Sequence, residues 1–172
     1  MGTTPNYSWP FPDPGTDVNV PRDIEALARG VDTTVKQGPP WGEFSGAATQ
    51  TLTSAFQRIT LDTTVSNVGG AMHLSASTVV FDVAGTYLLF GRGLFKPNAD
   101  ACAVVLVTRD KTGALIDQMN VRGYTGSIHV LVMSVRTFAV GDFVDIAGQG
   151  NQLGTTPQIS GGNLKVVKIG AA

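Results

Sequence analysis

The chain has 172 residues, 42% of them hydrophobic and 15% charged, and its formal net charge is −1 at pH 7. That composition excludes a disordered chain, and the twelve Lys and Arg are too scattered for nucleic acid or an anionic membrane surface. The charge lies well below the roughly 25% of ordinary soluble proteins, which points to surface hidden in an oligomer. The length suits one domain plus an appendage.

Composition changes near residue 41. Pro5, Pro10, Pro12, Pro14, Pro21, Pro39 and Pro40, with both tryptophans, Trp9 and Trp41, all precede Gly42. Residues 1–20 read as an extended peptide, because proline fixes φ and restricts the residue before it. Tyr7, Trp9 and Phe11 alternate, so an extended chain shows all three on one side. The first residues lack a basic stretch followed by an apolar one, so a cytoplasmic product without a secretion address is expected. No apolar stretch approaches the ~20 residues of a membrane helix.

Residues 21–37 carry the one good helical pattern. Pro21 suits the first turn, and Asp23 and Glu25 suit the positive end of the helix dipole. Ile24, Leu27, Val31 and Val35 then fall on one stripe. Gly30 and the modest length make such a helix marginal alone, so its stripe needs a neighbour. Residues 38–43 read as a linker.

From residue 44 to 172 the pattern is all β. Strands are predicted at 56–61, 78–83, 86–96, 101–109, 114–121, 127–138, 142–147 and 163–169. They are separated by turn chemistry at Ala84-Gly85, Pro97-Asn98-Ala99-Asp100, Gly123-Tyr124-Thr125-Gly126 and Gly161-Gly162, among others. Short strands without intervening helices indicate a sandwich. Cys102 is the single cysteine and reads as a small buried hydrophobe. Residues 128–135 are apolar on both faces. Ile128, Val130 and Val132 alternate with His129, Leu131, Met133 and Val135, whereas a sandwich strand needs one apolar face. The second set is therefore predicted to pack against another subunit.

The run Phe81-Asp82-Val83-Ala84-Gly85-Thr86-Tyr87-Leu88-Leu89-Phe90 resembles the "F-x-x-x-G-x-Y-x-F" core of the complement C1q and tumour-necrosis-factor superfamily. Residues 59–67, 104–109, 131–144 and 163–169 resemble further motifs of that superfamily in the same order. The resemblance covers about residues 44–169 and implies a jelly-roll sandwich of ten strands that forms tight homotrimers. The head is similar to something narrower. Thr4-Pro5-Asn6-Tyr7-Ser8-Trp9-Pro10, then Asp17-Val18-Asn19-Val20-Pro21-Arg22-Asp23-Ile24, resembles the N-terminus of small minor tail proteins of phages infecting actinobacteria. That likeness implies docking to other phage structural proteins through Tyr7, Trp9, Phe11, Ile24, Leu27 and Val31. The collagen-like stalk of many C1q relatives is missing, which argues against complement-like and exosporium roles.

No catalytic constellation is legible. His73 has no acid or cysteine at ligand spacing, and His129 lies in an apolar strand, where one hydrogen bond satisfies it. Threefold symmetry would also gather three copies of His129, a conceivable metal or anion site, but the expectation is no metal and no cofactor. Nucleotide, serine-hydrolase and zinc-protease motifs are missing. Gly91-Arg92-Gly93 reads as a strand allowing close approach, and Asp110, Asp117 and Asp142 read as turn residues with structural jobs. The function expected is that of a non-enzymatic phage structural protein, a trimer at the tail tip or on a tail fibre that adheres to the host surface. It would be made in the host cytoplasm and reside in the virion, without inserting into a membrane or binding nucleic acid. Loops around Asn98, Asp100, Tyr124 and Asn151 are the candidate receptor-binding positions, for a cell-surface glycan. The rivals are a capsid fibre or decoration protein of the same architecture, a glycan-degrading tail enzyme and a bacterial carbohydrate-binding module.

Overall fold

The computed structural model describes residues 2–3, 10–11, 28–29, 38–96, 102–124, 126–151 and 157–172. The chain forms two compact units, Met1–Pro39 and Pro40–Ala172. In the first, β1 (Gly2–Thr3) pairs antiparallel with β2 (Pro10–Phe11), and Ala28 and Arg29 are helical. Tyr7, Trp9, Ile24, Leu27 and Val31 lie outside the described residues, and Phe11 is described by its backbone alone.

The second unit is a sandwich of two antiparallel sheets. Its strands are β3 (Trp41–Thr51), β4 (Gln57–Arg58), β5 (Thr63–Val68), β6 (Met72–Ser75), β7 (Thr78–Phe81), β8 (Gly85–Lys96), β9 (Cys102–Asp110), β10 (Leu115–Tyr124), β11 (Ile128–Phe138), β12 (Phe143–Asn151) and β13 (Gln158–Gly170). One sheet runs β11-β8-β13-β3-β5, and the other runs β10-β9-β12-β7-β6 with β4 beside β12. β8 shows why the sequence folds this way. Its alternate residues Tyr87, Leu89 and Phe95 are fully buried while Leu88, Phe90 and Leu94 are partly open, the period of two that a pleated strand imposes.

The motif that carried the C1q/TNF resemblance sits at the centre of the core. Phe81 stacks on Phe138 with centroids 4.1 Å apart, and Tyr87 tilts against Phe81 at 4.5 Å. The Tyr87 hydroxyl donates to the Val83 carbonyl at 2.6 Å. Burial, with the Asp82 charge adding to it, pushes that hydroxyl up to about 12. Close approach of the sheets depends on Gly91, where a Cβ would stand 2.8 Å from Val132, 3.0 Å from Ile146 and 3.6 Å from the Thr108 methyl.

Several expectations need correction. Trp41, Gly42 and Glu43, read as linker, are the first residues of β3. The strand predicted at 56–61 shrinks to Gln57–Arg58, although Ile59 and Leu61 are buried core residues. Gly161-Gly162 is a β-bulge within β13, not a turn: the pairing register shifts there, and Gly161 has φ of +102°, a region that favours glycine. The predicted separators at Ala84-Gly85 and Gly123–Gly126 do fall at breaks, but Gly85 already opens β8, and Gly123 and Tyr124 still belong to β10. Asp117 lies inside β10 and not at a turn. Asp110 and Asp142 do hold turns. Hydrogen bonds from the Thr112 hydroxyl and backbone keep the Asp110 carboxyl below the usual range. The Lys111 ammonium and the Ala139 amide do the same for Asp142. The side chain of Cys102 lies outside the described residues.

The β6–β7 hairpin contains a local conflict. Ser75 pairs with Thr78, so the turn has two central residues, and both are left-handed: Ala76 at φ 46° and Ser77 at φ 61°. Such a turn favours Asn-Gly, and residues with a Cβ are strained there. Ala76→Asn combined with Ser77→Gly is expected to stabilise the domain by about 1–2 kcal/mol, measured as a higher midpoint in urea; an unchanged midpoint would refute the strain.

Candidate functional site

The register of the five-stranded sheet assembles its outward-facing residues into rows. Val135, Leu88, Val167 and Trp41 are cross-strand neighbours from β11 to β3. The next row holds Met133, Phe90, Lys165 and Glu43, and the next Leu131, Arg92, Asn163 and Ser45. His129 faces Leu94 in the row after that. On this face β8 and β11 carry an apolar column that ends at Arg92 and His129, and β13 and β3 carry Lys165, Glu43, Asn163 and Ser45 beside the apolar pair Val167 and Trp41. Leu131, Met133 and Val135 are 52%, 57% and 57% exposed in the isolated chain, while their sequence neighbours Val130 and Val132 are buried. The alternation read from the sequence thus places His129, Leu131, Met133 and Val135 on one open face.

The polar residues of β3 and β13 include an internally paired set. Asn163 donates to Glu43 Oε1 at 2.9 Å, and Lys165 Nζ lies 3.1 Å from Glu43 Oε2. The Asn163 hydrogen bond chiefly, and then Lys165, hold the Glu43 carboxyl below its ordinary value against the opposing effect of burial. Arg92 is different. Its guanidinium donates from Nε to His129 Nδ1 at 3.2 Å and meets no carboxylate among the described residues. Glu43, Phe90, Arg92, His129 and Asn163 help to line a shallow concavity of about 620 Å³ on this face. A cation beside His129 would meet the Arg92 guanidinium, so the pair makes a poor metal site. No group of three or more metal-ligating side chains occurs among the described residues.

His73 corrects the sequence reading, which gave it no acid. Its Nδ1 lies 2.9 and 2.8 Å from the two Asp82 carboxylate oxygens, because β6 and the turn after β7 are brought together by amides of Asp82 and Val83 donating to the Ala71 carbonyl. A carboxylate that orients an imidazole is part of many acid–base sites. Here both groups are exposed, at 52% and 42%, and no hydroxyl or thiol hydrogen-bonds this ring among the described residues.

Of the candidate receptor-binding positions, Tyr124 and Asn151 are the last residues of β10 and β12. Tyr124 pairs with Cys102 and Asn151 with Ala103, so the two flank the start of β9 at one end of the sandwich. Asn98 and Asp100 lie outside the described residues, in the segment between Lys96 and Cys102.

No protein-family model and no curated protein matches this sequence. Solved structures do match the fold. Murine APRIL at pH 5.0 superposes with a TM-score of 0.58 at 13% identity, covering 77% of this chain and all of that one. The globular domain of zebrafish complement 1qA gives 0.56 at 15% identity over 78% of this chain and all of its own. Eiger TNF from S. frugiperda gives 0.55 at 12% identity over 78% of this chain and 96% of its own. The sandwich is a TNF/C1q-like jelly roll.

Proposed function

We propose that this chain forms a homotrimer through the outer face of the five-stranded sheet and acts as a non-enzymatic binding head. The observation that carries the assembly is the column Leu131, Met133 and Val135, more than half exposed and continuous with Leu88, Phe90 and Val167. A contiguous apolar face of this kind marks a contact surface. The C1q/TNF resemblance points to the same stoichiometry.

The setting we propose is a phage virion, at the tail tip or on a tail fibre, where the head adheres to the host surface and residues 1–39 dock to other virion proteins. Support comes from the likeness of residues 4–10 and 17–24 to minor tail proteins. The proline and aromatic content of that stretch also suits burial against a partner better than a core of its own. Binding would fall at the sandwich end bearing Tyr124 and Asn151, with three copies presented together to raise avidity.

Two measurements test this. The unit Pro40–Ala172, expressed alone, is expected to trimerise yet fail to join particles; normal incorporation would remove the docking role of residues 1–39. The full chain incubated with host cell-wall polysaccharide is expected to bind it and leave its length unchanged. Depolymerisation abolished by replacing one carboxylate would turn the assignment to an enzyme.

A further inference from the structure

We propose that the concavity on the outer face of the five-stranded sheet binds a small organic carboxylate, held by Arg92 and His129, with its apolar body over Phe90 and Leu131. The site is built within one chain, so it stands apart from the trimer proposed above. Four strands supply its lining: β3, β8, β11 and β13. Their register sets Arg92 between Leu131 on β11 and Asn163 on β13, and sets His129 opposite Leu94.

The hydrogen bonding of the pair calls for an oxyanion. Arg92 Nε donates to His129 Nδ1 at 3.2 Å. A neutral imidazole that accepts at Nδ1 carries its proton on Nε2. Arg92 Nη2 stands 3.4 Å from that Nε2, so two N–H donors lie side by side. No acceptor among the described residues answers either of them. A carboxylate oxygen set against both would answer them together. Guanidinium groups bind carboxylates through charge-assisted hydrogen bonds from a planar fork, which adds direction to the attraction.

Charge in the concavity points the same way. Glu43 is the one carboxylate among its lining residues. The Glu43 oxygens are engaged by Asn163 at 2.9 Å and Lys165 at 3.1 Å, and the charges of Glu43 and Lys165 cancel. The charge of Arg92 is left over. The surroundings decide what carries the anion. Phe90, Leu94 and Leu131 flank the pair with apolar surface, and Gly46, Gly161 and Gly162 bring no side chain to fill the hollow. A volume of about 620 Å³ leaves room beside the carboxylate for a body the size of a phenyl ring. Apolar lining with a few placed polar groups is how small-molecule sites combine burial with orientation. The bound anion would also offset the Arg92 charge wherever a neighbouring copy covers this face, because a cation stripped of water is costly alone.

The test is a titration of the full chain at mildly alkaline pH with sodium benzoate, sodium acetate or benzyl alcohol, with chloride holding the ionic strength constant. The chain has two histidines, so NMR of isotope-labelled histidine follows each imidazole separately, and His73→Asn assigns them. Benzoate is expected to shift the His129 signals saturably and to leave those of His73 in place. Acetate, which lacks the phenyl ring, is expected to bind at least about threefold more weakly. Benzyl alcohol, which lacks the charge, is expected to bind at least about tenfold more weakly. Arg92→Gln is expected to raise the benzoate midpoint about tenfold or more, with thermal unfolding close to the parent's because Arg92 is exposed. A missing shift at His129, equal shifts at both histidines, or an Arg92→Gln variant that binds as the parent does overturns the site. Acetate as tight as benzoate overturns the apolar body, and benzyl alcohol as tight as benzoate overturns the role of the anion. The readout needs no assembly, so a monomeric parent that binds benzoate overturns the trimer and leaves the site standing.

Discussion

Met133→Asp is expected to turn the assembled protein into a folded monomer at micromolar concentration. Met133 is 57% exposed in the single chain, so the charge sits in water there and the domain's own stability should move by no more than about 0.5 kcal/mol. In the proposed trimer the same position, beside its cross-strand partner Phe90, would lie under a neighbouring copy. A carboxylate buried there without a partner costs several kcal/mol, and symmetry repeats the cost three times. Light scattering after gel filtration reads the mass, and circular dichroism shows that the sheets persist. A variant that remains trimeric would place the contact elsewhere.

The second large effect concerns the other sheet. Asp145 is 2% exposed and accepts from Arg58 Nε at 2.7 Å and from Arg109 Nε and Nη2 at 2.9 and 2.7 Å. Arg58 belongs to β4 and Arg109 to β9, and both strands flank β12. One buried carboxylate thus ties three strands together. Asp145→Ala leaves two guanidinium groups facing each other, and Arg109 is only 16% exposed. Removing one partner of a buried ion pair costs roughly 3–5 kcal/mol. Because Arg58 is 42% exposed and can rehydrate, about 3 kcal/mol is expected, seen as a lower urea midpoint with an unchanged slope. A loss below about 0.5 kcal/mol, the range of ordinary surface changes, would mean that the cluster does not hold these strands.

Legibility in the sequence followed burial. β8, β9 and β11 were readable because apolar residues alternate or run on through them, and the burial of Val130 and Val132 against the exposure of Leu131 and Met133 reproduces the two faces assigned to residues 128–135. β3 was not readable. Its stretch Gly46-Ala47-Ala48-Thr49 carries little β-branched bulk, and its strand character comes from pairing with β13 on one side and β5 on the other. β5 is a hydroxyl-rich edge strand, and such strands are weakly marked because one flank faces water. The strand predicted at 142–147 stopped short of Gly148 and Gly150, which continue β12: a Cβ on Gly150 would stand 2.3 Å from the Pro157 ring, and one on Gly148 3.1 Å from Leu52. The bulge at Gly161 was mistaken for a turn for the same reason: glycine marks an unusual backbone without saying which kind.

The site divides in the same way. The open column on β11 could be derived from alternation alone. The contact of Arg92 with His129 could not, because it depends on the register in which β8 and β11 pair. The His73–Asp82 contact was missed because the two residues are nine apart and are joined through the β6–β7 hairpin. A histidine and an aspartate flanking a short hairpin of this kind would have been the signal to look for.

The central claim is that the outer face of the five-stranded sheet holds three copies together. Native mass spectrometry of the full chain at low micromolar concentration tests it most directly. The expected species has three times the 18.0 kDa mass of one chain, whereas a spectrum containing only the single-chain mass would contradict the assembly and the binding head built on it.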